Sequence, residues 1–197
     1  GFVLCSTPRM KAVARRYMPD VAVHILNDPY KQMDLRAIAD AVDAKLERAL
    51  QTGWVDIGWF GNGDNPHFPV GLSDVHAFGP MLQQFRRFGL EPRLQLLTNR
   101  RALSPQSFEA LNRIGIPWTL DEWTLEREGE LLERSLVAFL PVNAQAFSIA
   151  KSLNRAVSAL SSATQVLSAG YPLYSPLADF VYRDVATLAA DIRARAL

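Results

Sequence analysis

Apolar and polar positions along this chain switch between two periods. Short continuous apolar runs read as strands at Phe2–Ser6, Val21–Leu26, Val55–Phe60, Arg93–Thr98, Ile116–Leu120, Leu136–Pro141 and Thr164–Ser168. Helical spacing fills the intervals. Pro8–Tyr17 has Thr7 as a candidate N-cap and Pro8 in its first turn. Leu35, Ile38, Ala39, Val42, Leu46 and Leu50 keep one face, with Asp34 before them and Gly53 after. Further helices are expected over Asp74–Phe88, broken near Gly79-Pro80, from Ser104 or Ser107, over Glu122–Ser135 and over Leu177–Ala196. Asn27-Asp28-Pro29 is turn chemistry, and Gly61–Ser73 reads as a loop. Strands alternating with helices predict an α/β domain, a Rossmann-like parallel sheet with helices on both faces. There is no internal repeat and no low-complexity segment.

One interval carries candidate chemistry. Between the strands at Leu136 and Thr164 a single helix is expected, and on it Lys151, Asn154, Arg155 and Ser158 fall at i, i+3, i+4 and i+7, on one face. Ile149, Leu153, Val157 and Leu160 form the opposing apolar stripe. Two cations, an amide and a hydroxyl near the positive end of a helix dipole suit a phosphate or diphosphate. Spacing alone also fits a helix face that only meets water. Gly61-Asn62-Gly63 follows a strand, where glycines let backbone N–H groups approach a phosphate, but Asn-Gly is equally a plain turn.

The segment LVAFLPVNAQAFSIAKSLNRAVSALSSATQVLS, 136–168, resembles the donor-binding region of GT-B glycosyltransferases of the group 1 type, where a strand ending in Pro leads to a helix with KSxNR and then EALAxGxPV. Lys151, Ser152, Asn154 and Arg155 keep KSxNR. DIGWFGNGDN resembles the Gly-rich turn after the first strand of that family's nucleotide domain, and WTLEREGELLERSLVAFLPV its Trp, acidic helix and strand. GYPLYSPLADFVY resembles the segment that often brings an aromatic near the nucleotide. The resemblance implies the C-terminal half of a GT-B architecture, spanning 54–197, with 1–26 as a remnant of a preceding domain and 27–53 as a connecting helix. It implies a nucleotide-sugar as donor substrate, no separate cofactor, no metal, and an acceptor glycan or other acceptor not named by the sequence. Gly61, Asn62, Gly63, Lys151, Ser152, Asn154, Arg155 and Ser158 are the donor- and phosphate-binding candidates. The family's ribose-binding Glu falls at Ser158, and its GxPV becomes Ala163-Thr164-Gln165-Val166. A hydroxyl bonds but brings no charge. The alternative reading is therefore a degenerate, non-catalytic nucleotide- or phosphate-binding module.

Bulk properties narrow the partners. The chain has 197 residues, 49% of them hydrophobic, enough for a sizeable core. A net charge of +1 argues against a dedicated nucleic-acid binder. The single Cys5 suits a reducing compartment. No apolar run approaches the roughly 20 residues of a membrane span. A cytoplasmic place is expected, with peripheral membrane association as the alternative. The chain opens on a strand without an initiator Met, and the resemblance implies that the acceptor domain of the parent lies outside it, leaving the isolated chain without transferase activity.

Other candidates weigh less. The family's base usually belongs to the first domain, so no catalytic residue is assigned here. His67 lies in the loop after Phe60 and reads as exposed; His24 reads as packed in a strand, and His76 has no assigned role. Trp54, Trp59, Trp118 and Trp123 read as core. A dinucleotide oxidoreductase would need G-x-G-x-x-G, and Gly61-Asn62-Gly63-Asp64-Asn65-Pro66 breaks that pattern at its last position.

Overall fold

A computed structural model of the protein describes residues 1–27 and 33–197. It opens with β1 (Phe2–Cys5), α1 (Pro8–Tyr17) and β2 (Ala22–Ile25), and the two strands pair in parallel. Thr7 accepts from the Met10 N–H, so the expected cap is present. The turn expected at Asn27-Asp28-Pro29 falls mostly outside the described residues, beyond Asn27. Next comes α2 (Leu35–Thr52), capped by Asp34 and closed by Gly53 at φ 74°.

From there strand and helix alternate. The elements are β3 (Trp54–Gly61), α3 (Leu72–Phe78), β4 (Glu91–Thr98), α4 (Pro105–Asn112), β5 (Trp118–Glu122) and α5 (Leu125–Arg134). They continue with β6 (Val137–Phe139), α6 (Ala146–Ile149), α7 (Asn154–Ser161), β7 (Gln165–Leu167), β8 (Val181–Tyr182) and α8 (Val185–Ala194). The six strands from β3 form one parallel sheet in the order β5-β4-β3-β6-β7-β8. Strand order reverses between β3 and β6, and a crevice opens at such a point outside the carboxyl ends of the strands. Both faces are covered. Val55, Ile57 and Trp59 of β3, with Val137 and Phe139 of β6, enter one core, while Phe60, Ala138 and Leu140 enter the other. Burial on both sides is why these strands read as continuous apolar runs.

Four boundaries differ from expectation. The helix expected over 74–88 starts at Leu72 and becomes a 3₁₀ helix over Gly79–Phe88, where Pro80 supplies no N–H and Ile114 packs against Gly79. The strand expected at 116–120 runs over Trp118–Glu122, set by pairing of Leu94 with Trp118. The helix expected from Glu122 begins at Leu125 behind Thr124, whose hydroxyl accepts from the Arg127 N–H. The helix expected over 177–196 is a 3₁₀ turn (Ser175–Phe180), an edge strand and α8, because Val181 and Tyr182 pair with β7 and Asp184 caps the helix after them.

Candidate functional site

The single helix expected to carry Lys151 is two. α6 ends at Ile149, and α7 starts at Asn154. Lys151 and Ser152 lie in the non-helical stretch between, so the one-face spacing of Lys151, Asn154, Arg155 and Ser158 does not hold. The break carries no Gly or Pro. Tertiary contacts make it. Phe147 stacks on Phe68 at 5.0 Å, pinning α6 to the loop after β3, while Ala156 and Ala159 of α7 are buried against the sheet. Thr7 donates its hydroxyl to the Ala150 carbonyl at 2.7 Å, giving the interrupted backbone a partner.

The break nevertheless brings the two cations together. β3 ends at Gly61 with φ 152°, and a Cβ there would stand 3.1 Å from Nη1 of Arg155. That nitrogen donates to the Phe60 carbonyl at 3.2 Å, so the guanidinium lies along the last peptide of β3. A cavity of about 240 Å³ opens here, lined by Gly61, Asn62, Lys151, Ser152, Asn154 and Arg155 with Trp59, Gly71, Asp74, Pro141, Leu173 and Tyr174. Ser6 and Met10, from the β1–α1 unit, complete its wall. The Lys151 ammonium sits 4.7 Å from the centre of the Phe147 ring and has no ion-pair partner within 4.0 Å among the described residues. Burial, then the Arg155 charge, lowers its pKa to about 8, with Asp74 acting in the opposite sense.

Asp74 was not singled out by sequence. It is buried, 7% exposed, in the first turn of α3. One oxygen accepts from the Gly71 N–H at 3.3 Å and the other from Asn143 Nδ2 at 2.7 Å. Burial raises its pKa, while Gly71, Asn143, Lys151 and Arg155 each pull it down. Asn143 also donates to the Pro69 carbonyl at 2.9 Å, tying the chain after β6 to the loop after β3. Gly71 closes that loop at φ 80°, where a Cβ would meet the Asn62 carbonyl at 2.2 Å.

A second cavity, about 510 Å³, adjoins the first and shares Gly61, Asn62, Asn154 and Arg155 with it. Ser158 lies here rather than beside Lys151, together with Asn99, Arg100, Glu122, Trp123 and Glu128. Trp123 is 44% exposed and donates its indole N–H to Glu128, so its expected core role is overturned. Trp59 is buried as expected, and Trp54 lies near the Arg93 guanidinium at the surface. Gly63 lines neither cavity. Its N–H donates to Thr98 Oγ1 at 2.8 Å and Asn99 Oδ1 at 2.9 Å, and its missing side chain makes room for Thr98 and Leu72. His67 is exposed on the outer side of the same loop, His24 is exposed rather than packed, and His76 faces the Ala110 carbonyl. The signal that could have found Trp123 is its position just past a strand's carboxyl end; nothing comparable marks Asp74.

Among the described residues no group of three or more His, Cys, Asp or Glu is placed to hold a metal ion, and no helix is long and apolar enough to cross a membrane. No family model and no curated protein matches the chain. Among solved structures, the alpha,alpha-trehalose-phosphate synthase (UDP-forming) from Burkholderia vietnamiensis is similar in fold, with a TM-score of 0.51 at 13% identity. The match covers 98% of this chain and 53% of that one, so the chain spans about half the length of the synthase. At this identity the likeness concerns the fold: a Rossmann-like parallel sheet flanked by helices.

Proposed function

We propose that this chain is the donor-binding part of a GT-B glycosyltransferase, which holds the diphosphate of a nucleotide-sugar between Lys151 and Arg155. The observation that carries this reading is the convergence of those two cations beside Gly61, at the point where strand order reverses. Sugar transfer leaves a nucleoside diphosphate, whose growing negative charge needs fixed donors in a site short of water. Arg155 offers a planar fork and Lys151 a point charge without an ion pair among the described residues. The N-terminus of α7 opens on the same cavity at Asn154 and adds the positive end of its dipole.

The first cavity alone falls below the roughly 300–1,000 Å³ of typical ligand pockets. The second, which shares Gly61, Asn62, Asn154 and Arg155 with it, adds the room a nucleoside needs. Trp123 gives an exposed ring for a base to stack on, and Glu122, Glu128 and Ser158 give acceptors for ribose hydroxyls. A carboxylate at Glu122 or Glu128 then does what the family pattern assigns to a Glu at the place of Ser158.

The division of the chain belongs to the same proposal. Residues 1–26 are read as part of a preceding domain, 27–53 as a connecting helix and 54–197 as the nucleotide-sugar domain. The support is exposure: Phe2, Leu4, Ile25 and Leu26 are 66%, 53%, 42% and 62% exposed, although parallel strands ordinarily have both faces covered. The acceptor would be held by that preceding domain.

Calorimetry with UDP, GDP, TDP and CMP, with and without EDTA, tests the reading. Binding of at least one nucleotide, unaffected by EDTA, is expected. No binding, or binding abolished by EDTA, overturns it. The second reading, a non-catalytic nucleotide-binding module, is favoured by Ser158. It predicts nucleotide binding by the full-length parent without turnover of any sugar nucleotide.

A further inference from the structure

Burial is costly for a carboxylate, and Asp74 is buried in the cavity that Lys151 and Arg155 line, where those cations offset part of the cost. Its position has a local cause. At the third residue of α3 it accepts from the Gly71 N–H, and Asn143 holds its other oxygen. These two bonds fix the carboxylate but do not exhaust it, since an ionised carboxyl has about four acceptor sites. Neither bond is to a cation, and no ion pair within 4.0 Å joins it to Lys151 or Arg155 among the described residues. Its remaining lone pairs border the cavity that both cations line. A ligand offering only phosphate oxygens meets repulsion there. A ligand carrying hydroxyls next to its phosphate meets an acceptor already held in place.

We propose that Asp74 is a specificity residue that accepts hydrogen bonds from hydroxyls of a sugar attached to the phosphate held by Lys151 and Arg155, selecting glycosyl phosphate esters over the free phosphate or diphosphate. This rests on the assignment of Lys151 and Arg155 to the phosphate. Asp74 reads the sugar, and the cations read the phosphate. No covalent step is involved.

The test measures dissociation constants by calorimetry for two pairs: UDP against UDP-glucose, and inorganic phosphate against glucose 1-phosphate. The esters bind the wild-type protein more tightly than their partners. In Asp74→Asn that preference falls about tenfold or more, the loss of a hydrogen bond to a charged acceptor. UDP and phosphate bind Asp74→Asn as well as the wild type, or better, because a negative charge has left the cavity. Asp74→Ser removes both the charge and the carboxylate's reach and shows the same loss of preference, with thermal melts confirming that it folds. A series of deoxyglucose 1-phosphates on the wild-type protein needs no variant: at least one member binds about tenfold more weakly than the parent ester. Equal weakening of both members of a pair in the variants makes Asp74 a cap or a partner of Lys151 and overturns the proposal. So does a deoxy series that binds uniformly. Binding of glucose 1-phosphate with that pattern, but of no nucleotide, leaves Asp74 in its role and removes the nucleotide-sugar reading; binding of none of the four ligands removes both.

Discussion

Two lysines near opposite ends of α7 meet different surroundings. Lys45 is 5% exposed and donates to the Leu132, Ser162 and Ala163 carbonyls and to Thr164 Oγ1, at 2.7–3.0 Å. Those carbonyls belong to the C-terminal ends of α5 and α7, where helices leave acceptors unpaired and dipoles turn negative. Lys151 lies just before the other end of α7, against an aromatic ring, with a cavity in front of it. Burial is the first cause lowering each pKa to about 8, followed by a neighbouring arginine, Arg48 or Arg155. The difference is the acceptors. Lys45 is a staple because the protein supplies oxygens for it. Lys151 is half-buried and faces a cavity without such oxygens among the described residues, which is the arrangement the proposed phosphate site needs.

The sharpest way to break this comparison is to remove each ammonium. Lys45→Met leaves the Ala163 carbonyl without its donor and the Leu132 and Ser162 carbonyls sharing the single Thr164 hydroxyl, and unfolding by urea should show a loss of about 3 kcal/mol. Lys151→Met removes a partly desolvated charge with no ion-pair partner among the described residues, and its stability should stay within about 1 kcal/mol of wild type. If Lys45→Met melts like the wild type, or Lys151→Met falls as far as Lys45→Met does, the division into staple and site is wrong.

Binding should divide the same way. Arg155→Ala is expected to weaken nucleotide binding by roughly 1.5–3 kcal/mol, as for a lost charge-assisted hydrogen bond. Its bond to the Phe60 carbonyl is worth about 1 kcal/mol, so the fold should persist. Unchanged affinity by calorimetry would make Arg155 a clamp on β3 and nothing more.

A pH series sharpens the contrast at Lys151. Its free-state pKa is lowered to about 8, and a bound phosphate would raise it. Between those two values binding takes up a proton. Affinity should therefore be full below pH 8 and fall above it, with a slope approaching tenfold per pH unit. Lys151→Met should flatten that slope. A slope that survives the substitution assigns the proton elsewhere.

Sequence and structure agree where one local signal decides. Thr7, Asp34 and Gly53 bound helices as expected, and the apolar runs gave strands β1 to β7. They part where distant contacts decide. The interruption at Lys151 follows from Phe147 on Phe68 and from Thr7 on Ala150, 143 residues away in the second case. β8 exists because β7 offers Val166 and Leu167 as partners. Of the candidates the sequence brought out, Gly61, Asn62, Lys151, Ser152, Asn154 and Arg155 share one cavity, although the helix face expected to unite four of the candidates is absent. Asp74 was hidden because its neighbours Asn143 and Lys151 are far along the chain.

The smallest expected effect concerns the staple end. Ala163 sits at φ 56°, at the position where the glycosyltransferase pattern that this segment resembles has Gly, and its carbonyl receives Lys45. The Ala163 N–H donates to Leu160 O and the Thr164 N–H to Ala159 O, which is the Schellman arrangement with Ala163 in the left-handed position. A Cβ in that conformation costs about 1–2 kcal/mol. Ala163 is also buried, 3% exposed, so Gly would forfeit methyl burial of about 0.8 kcal/mol. The freer unfolded chain of a Gly variant costs roughly another 0.5–1 kcal/mol. Relief and cost offset, and Ala163→Gly should leave stability within about 0.5 kcal/mol of wild type. Urea unfolding checks it. A clear gain would mean that the turn carries strain which Lys45 only restrains. A clear loss would mean that the methyl packs the staple, so that the lysine's acceptors are held by apolar contact as much as by backbone geometry.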